Sequence, residues 1–341
     1  MTLKTKRNIV LMMMLFMSMI LIPLLAVSGS AKGDTKYTFS SLNLEQNSTP
    51  QKLRSDIEAN KKFRVLDEAT GKIMDIDDKE FMYGAVVCEM PPTFETEALK
   101  SQAVATYTYF SRERKNFRNN PKNKDKPEIT VNTDKWKYYV TEDKMRQRWG
   151  ENFDKHYNKI KEAVDSVFGE VVEDNGELIL AAYHAMSSGQ TERCSDVFGG
   201  DLKYLVSVPS PGDKLVPNYK TTVEVSKEDF QKTICGEYKD CDFSSDPNSW
   251  ISDVRRTPAG MVKNIKVGSH DFKGSDIRKL FSLRSADFDV SYQENKFVFT
   301  VRGYGHGVGM SQYGAEYMAQ QGADYKQILL WYYPNTTIET I

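Results

Sequence analysis

The chain has 341 residues, with 46 basic and 47 acidic side chains and a formal net charge of -1. Hydrophobic residues make up 40% and charged residues 27%, the balance of a folded body with room for one large or two modest domains. This near-neutral composition has no electrostatic footprint for nucleic acid, so no nucleic-acid partner is expected.

Lys4, Lys6 and Arg7 precede an uncharged apolar run over residues 9–27. That run is longer than the apolar core of most cleaved signal peptides and long enough to cross a bilayer as a helix. The basic flank predicts a cytoplasmic N-terminus and an extracytoplasmic body. Pro23 and the small residues from Ala26 to Ala31 leave room for cleavage, but the length favours an uncleaved signal-anchor over residues 1–27. Residues 28–60 are polar and read as a stalk, with the catalytic body expected over 61–338.

Phe63-Arg-Val-Leu is a strand candidate, Ala69-Thr-Gly-Lys a turn, and Ile73 begins the return strand. Asp75, Asp77 and Asp78 offer N-caps for a helix through Phe81, Gly84, Ala85 and Val87. A second helix follows Pro91-Pro92, with Leu99, Ala103, Tyr107 and Phe110 on one apolar face. Residues 115–135 read as a polar loop. Trp136 to about Phe168 reads as helical, with a turn at Trp149-Gly150. Asn175-Gly176 marks a hairpin between Val171-Val172 and a strand over Leu178 to Ala182. Residues 200–290 look like mixed short elements, an expected inserted lobe. Phe297 to Val301 is a further strand, and an amphipathic helix over about Gln312 to Tyr332 is interrupted near Gly322. The fold class is therefore α+β: a helical catalytic region plus mixed strands that carry site loops.

Three segments could carry chemistry. Glu89 sits where one helix ends and a Pro-Pro break follows. The helix C-terminus and the apolar neighbours Val86, Val87, Met90 and Phe94 would disfavour its ionised form, while the next helix N-terminus pulls the other way. The structural alternative is a carboxylate that caps or pairs with Lys100 or Arg114. Next, His184 is followed by Ser187, Ser188, Gly189, Gln190 and Thr191, hydroxyl and amide groups suited to sugar hydroxyls; no G-x-S-x-G elbow accompanies them. Lastly, glycines 303, 305, 307 and 309 alternate around His306, ahead of Ser311, Gln312 and Tyr313. That register is neither a dinucleotide loop nor a P-loop; it allows close backbone approach by a ligand or by another segment. Cys235 and Cys241 could close a small loop or remain free thiols, beside Cys88 and Cys194. The four histidines show no zinc spacing, so neither a metal nor another cofactor is expected.

Together these segments resemble the stage II sporulation protein D family, membrane-anchored peptidoglycan lytic transglycosylases of spore-forming bacteria. The resemblance rests on Gly84-Ala-Val-Val-Cys-Glu-Met-Pro91 with Glu97-Ala-Leu-Lys-Ser-Gln-Ala-Val-Ala105, on Tyr183-His-Ala-Met-Ser-Ser-Gly-Gln-Thr-Glu192, and on Gly303-Tyr-Gly-His-Gly-Val-Gly-Met-Ser-Gln-Tyr-Gly-Ala315 ending in Leu330-Trp-Tyr-Tyr-Pro-Asn-Thr336. It implies that Glu89 is the catalytic acid and that the His184 and His306 loops line the glycan groove. Gln102, His184, Ser187, Ser188, His306, Ser311, Gln312 and Tyr313 are the expected substrate-binding residues. Some relatives carry a His and two Cys, a zinc site, where Ile129 to Trp136 here has neither. The usual Ser-Gly-Gly appears as Ser187-Ser188-Gly189.

A hydrolytic glycosidase uses two carboxylates, whereas a lytic transglycosylase needs one, because the muramoyl C6 hydroxyl is the nucleophile. The resemblance further implies septal wall degradation and engulfment during sporulation. It implies as partners glycan strands stripped of stem peptides, a membrane-anchored amidase and a polytopic membrane protein. A non-catalytic wall-binding enhancer of an amidase is the competing expectation.

Overall fold

The computed structural model describes residues 61–237 and 241–341; the predicted membrane anchor and stalk lie outside them. Among the described residues no helix is long and apolar enough to cross a membrane. The architecture is α+β. Strands β1 (Lys62–Asp67) and β2 (Lys72–Asp77) form an antiparallel hairpin with Phe63 opposite Ile76. Alternation along β1 turns Phe63, Val65 and Asp67 inward. Asp67 is buried, with no counter-charge among the described residues. It accepts instead from the Ala69 amide, the Thr70 hydroxyl and both the amide and hydroxyl of Thr133, and so locks the hairpin turn.

Helix α1 (Asp78–Glu89) starts at Asp77, whose side chain accepts from the Lys79 amide. Asp78, predicted as a cap, is instead buried and held bidentately by Arg114 at 2.7 and 2.9 Å. Helix α2 (Thr96–Arg118) is the central element of the main core. Other elements surround it, so it buries residues almost all round, including Ser101, Gln102, Thr106 and Thr108. Two of these hydroxyls donate locally: Ser101 to the Ala98 carbonyl and Thr108 to the Val104 carbonyl.

The loop expected over 115–135 is smaller than the sequence suggests. Helix α2 runs on to Arg118, and β3 (Ile129–Val131) pairs parallel with β1. The helix expected from Trp136 begins later, as α3 (Glu142–Trp149) followed by α4 (Phe153–Val167). Trp136 has positive φ, 52°, inside a tight turn closed by mutual backbone hydrogen bonds between Asn132 and Lys137, and Tyr138, just past it, has φ 67°. The turn takes the backbone where a helix was expected.

Strands β4 (Glu170–Asp174) and β5 (Glu177–Leu178) form the predicted hairpin, with Asn175 and Gly176 both at positive φ. The following strand stops at Leu178 rather than Ala182, because the Leu180 amide donates to the Tyr204 hydroxyl instead of a ladder partner. The chain then makes β6 (Tyr183–His184) and the short helix α5 (Cys194–Val197).

A second hydrophobic cluster lies within residues 220–302, centred on Phe230, Trp250, Phe281, Phe297 and Phe299. It is built from β7 (Lys220–Ser226), α6 (Lys227–Glu237), β8 (Ile251–Arg256), β9 (Val262–Val267), β10 (His270–Lys273), α7 (Gly274–Leu280), β11 (Phe288–Gln293) and β12 (Lys296–Arg302). Two three-stranded sheets, ordered β10-β9-β8 and β11-β12-β7, enclose it. Cys235 and Cys241 form a disulfide at its edge, while Cys88 and Cys194 are free.

The chain returns to the main core through β13 (Met310–Ser311), parallel to β6, then α8 (Gln312–Gln320) and α9 (Tyr325–Tyr332). Gly322, at φ 90°, separates the two helices as the sequence predicts. A last strand, β14 (Thr337–Thr340), not foreseen, pairs with β4.

Candidate active site

Glu89 is the last residue of α1, and Met90 then turns the chain into extended geometry ahead of Pro91-Pro92. Neither expected structural partner reaches it: Lys100 pairs with Glu97 at 2.8 Å and Arg114 with Asp78. Burial pushes the Glu89 carboxyl up to about 7, and hydrogen bonds from Gln312 and Tyr183 pull the other way. Among the described residues no second carboxyl group acts on it. A carboxyl poised near neutrality can both give and take a proton at working pH.

The groups behind Glu89 form a closed ring. Gln312 Nε2 lies 3.4 Å from Glu89 Oε2 and 3.3 Å from Gln102 Oε1. Gln102 Nε2 donates to the Thr106 hydroxyl at 2.8 Å, and the Tyr183 hydroxyl hydrogen-bonds both Thr106 and Glu89. Gln102 and Thr106 come from α2, Tyr183 from β6 and Gln312 from the first turn of α8. Gln102 is fully buried, so its side chain lies behind Glu89 rather than at the surface a sugar would touch. Tyr183 and Thr106 were not among the site residues expected from sequence. No local pattern marks them, because the ring closes only through tertiary packing.

The two histidine loops meet. His184 Nδ1 lies 3.1 Å from the Val308 carbonyl, the Val308 amide donates to His306 Nδ1 at 3.1 Å, and the rings are 5.7 Å apart. Gly305 and Gly309 permit this approach. Each has positive φ; a Cβ at 305 would come within 2.7 Å of His184 Cβ, and one at 309 would overlap the Ala182 carbonyl. Burial holds His184 down at about 3 and His306 at about 4, so both rings are neutral at physiological pH. His306 is the more exposed of the two.

Ser187 and Ser311 serve a different group, Asp213, which is fully buried. Its Oδ2 accepts from the Ser187 amide at 2.7 Å and hydroxyl at 2.5 Å, and its Oδ1 from the Ser311 hydroxyl at 2.7 Å. Burial raises Asp213 to about 6 against those donors. Both serines thus clamp the start of the polar loop to the N-terminus of α8, where Ser311 also caps the Gly314 amide. In sequence Asp213 reads as an ordinary Pro-Gly-Asp turn residue. Ser188 points elsewhere: its hydroxyl hydrogen-bonds Asp287, and its carbonyl accepts from Tyr219, which ties the loop to the second cluster. Tyr313 is half-buried, edge-on to Phe94 at 5.1 Å, and follows directly on Gln312.

A family model described as "Stage II sporulation protein" matches residues 67–173, which include Glu89, Gln102 and Thr106. The chain is 33% identical to the stage II sporulation protein D of Bacillus subtilis (strain 168) over 79% of its own length and 76% of that protein. It is 33% identical to the protein of the same name in Bacillus amyloliquefaciens, over 76% of this chain and 73% of that one. It is also 26% identical to the amidase enhancer of Bacillus subtilis (strain 168), over 75% of this chain but 40% of that protein.

Proposed function

This chain belongs to the stage II sporulation protein D family, a family of sporulation proteins, and on that premise we propose that it is a peptidoglycan lytic transglycosylase. One observation carries the reading. Glu89 is a desolvated carboxyl near pKa 7 with two hydrogen-bond donors and, among the described residues, no carboxylate companion. In the proposed reaction Glu89 protonates the bridging oxygen between N-acetylmuramic acid and N-acetylglucosamine, and the C1–O bond breaks with oxocarbenium character. The resulting carboxylate, held by Gln312 and Tyr183, then takes the proton of the muramoyl C6 hydroxyl. That oxygen attacks C1 and closes a 1,6-anhydro ring. The proton given to the leaving sugar is recovered from the nucleophile, so Glu89 ends as it began, and the tethered hydroxyl replaces a positioned water. His306 and Tyr313, which are partly exposed, would face the strand, with His184 behind His306 and Gln102 supporting the acid from behind.

The proposed setting is the septal wall during engulfment, with the body outside the cytoplasm on an N-terminal membrane anchor. The Cys235–Cys241 disulfide supports an oxidising compartment. Likeness to an amidase enhancer supports an amidase partner. It also favours a second reading, a wall-binding enhancer without chemistry of its own. The experiment separates them. Full-length protein and its Glu89→Gln variant are incubated with glycan strands, alone and with an amidase. New strand ends from the native protein alone, absent with the variant, support the enzyme. Amidase stimulation by both proteins, with no new ends from either, supports the enhancer.

A further inference from the structure

The loop that carries His306 also meets a pair of arginines that the chemistry above does not use. Arg278 lies on α7 and Arg284 just past its end. The Arg284 guanidinium sits 4.6 Å from the Tyr304 ring centroid, and its Nη1 donates to the Asn218 carbonyl at 2.7 Å. Its own carbonyl accepts from the Gly305 amide at 3.0 Å, which pins it to the glycine-rich loop. Arg278 Nε donates to the Leu283 carbonyl at 3.3 Å, and so belongs to the same turn. Both side chains are half-buried. Among the described residues neither has an ion-pair partner, whereas nearby Arg256 pairs with Asp289 and Arg302 with Asp287.

Their charge is felt across the site. Arg278 helps to hold His306 and His184 neutral, and Arg284 acts on Tyr313, the neighbour of the Glu89 partner Gln312. Since both histidines are neutral, the positive charge beside the His306 loop is carried by the arginines rather than by the imidazoles. A half-buried guanidinium without an anion bears a desolvation cost that a ring face offsets only in part. A planar fork of donors in that state is matched to a carboxylate.

We propose that Arg278 and Arg284 form a subsite for a carboxylate carried by the glycan strand. The proposal rests on the reading that peptidoglycan is the substrate. N-acetylglucosamine has no carboxylate. A muramoyl residue has a lactyl carboxylate, free once its stem peptide is removed, and a stem peptide carries carboxylates of its own. Because the two sugars alternate, a carboxylate subsite also sets the register: it decides which of the two alternating linkages faces Glu89.

The test measures binding of the full-length Glu89→Gln protein, which leaves the strand uncut, with and without Arg278→Gln or Arg284→Gln. The probes are stripped muramoyl strands, the same strands with the lactyl groups converted to methylamides, peptide-bearing strands, and N-acetylglucosamine oligomers. Each arginine change is expected to weaken binding of stripped strands about 10- to 100-fold. Binding of methylamide strands and N-acetylglucosamine oligomers should stay unchanged, which also reports an intact fold. A loss confined to peptide-bearing strands supports the subsite and assigns the carboxylate to the stem peptide. Equal loss on carboxylate-free probes, no loss on any probe, or no binding by the parent protein overturns it. If the native protein forms no new strand ends while the arginine effect persists, the catalytic reading fails and the subsite stands.

Discussion

Replacing Glu89 by Gln should make the protein more stable at neutral and alkaline pH, but not in acid. The carboxyl titrates near 4.5 in an unfolded chain and at about 7 in the fold. The folded state therefore prefers the protonated form. Its stability is fully present below pH 4.5 and is lost as pH rises through about 7, when the fold must hold a desolvated carboxylate. The whole shift corresponds to about 3 kcal/mol, and the partial exposure of the side chain reduces the expectation to about 2 kcal/mol. Gln is a neutral isostere that can still accept from Gln312 and Tyr183, so it removes the charge and keeps the ring. Urea unfolding of the full-length protein and its Glu89→Gln variant at pH 5 and pH 8 is the assay. The advantage of the variant over the parent should be about 2 kcal/mol larger at pH 8 than at pH 5. Equal stability at both values would show that Glu89 is not desolvated, and the acid–base reasoning built on its raised pKa would fall.

Tyr183→Phe removes a donor that favours the ionised form, so the Glu89 pKa should rise by about one unit. The alkaline limb of the pH–rate profile would move up with it, and an unmoved limb would detach Tyr183 from Glu89. Asp213→Leu strands the Ser187 amide and hydroxyl and the Ser311 hydroxyl, and should cost about 2–4 kcal/mol in unfolding free energy. A change under about 0.5 kcal/mol would refute the clamp. Gly309→Ala forces a Cβ into the Ala182 carbonyl at positive φ and should cost about 2 kcal/mol or more, with loss of activity as β13 separates from β6. A melt unchanged by this substitution would mean that the loops do not pack as described.

What the sequence revealed was local. The Glu89 junction, the Asn175-Gly176 hairpin and the break at Gly322 each follow from a few neighbouring residues whose backbone preferences agree with the fold. What it concealed was tertiary. Asp213 meets Ser187 across 26 residues and Ser311 across 98, and Gln312 meets Glu89 across 223. A carboxylate on a Pro-Gly turn carries no mark that it will be buried, and hydroxyls expected to face sugar were taken up by it instead. Trp136 misled for the opposite reason: the helix expected from that residue gave way to a turn, with positive φ at Trp136 and Tyr138. The arginines of α7 were passed over because an unpaired charge is visible only once every possible partner has been placed.

The most direct test of the central claim is the mass of the strand ends formed by full-length native protein in water labelled with heavy oxygen. Lytic transglycosylation by Glu89 predicts muramoyl ends lighter by one water than a reducing end, with no heavy oxygen incorporated, and none at all from the Glu89→Gln variant. Reducing ends carrying heavy oxygen would mean hydrolysis and a second carboxylate. Anhydro ends that persist in the variant would remove Glu89 as the acid.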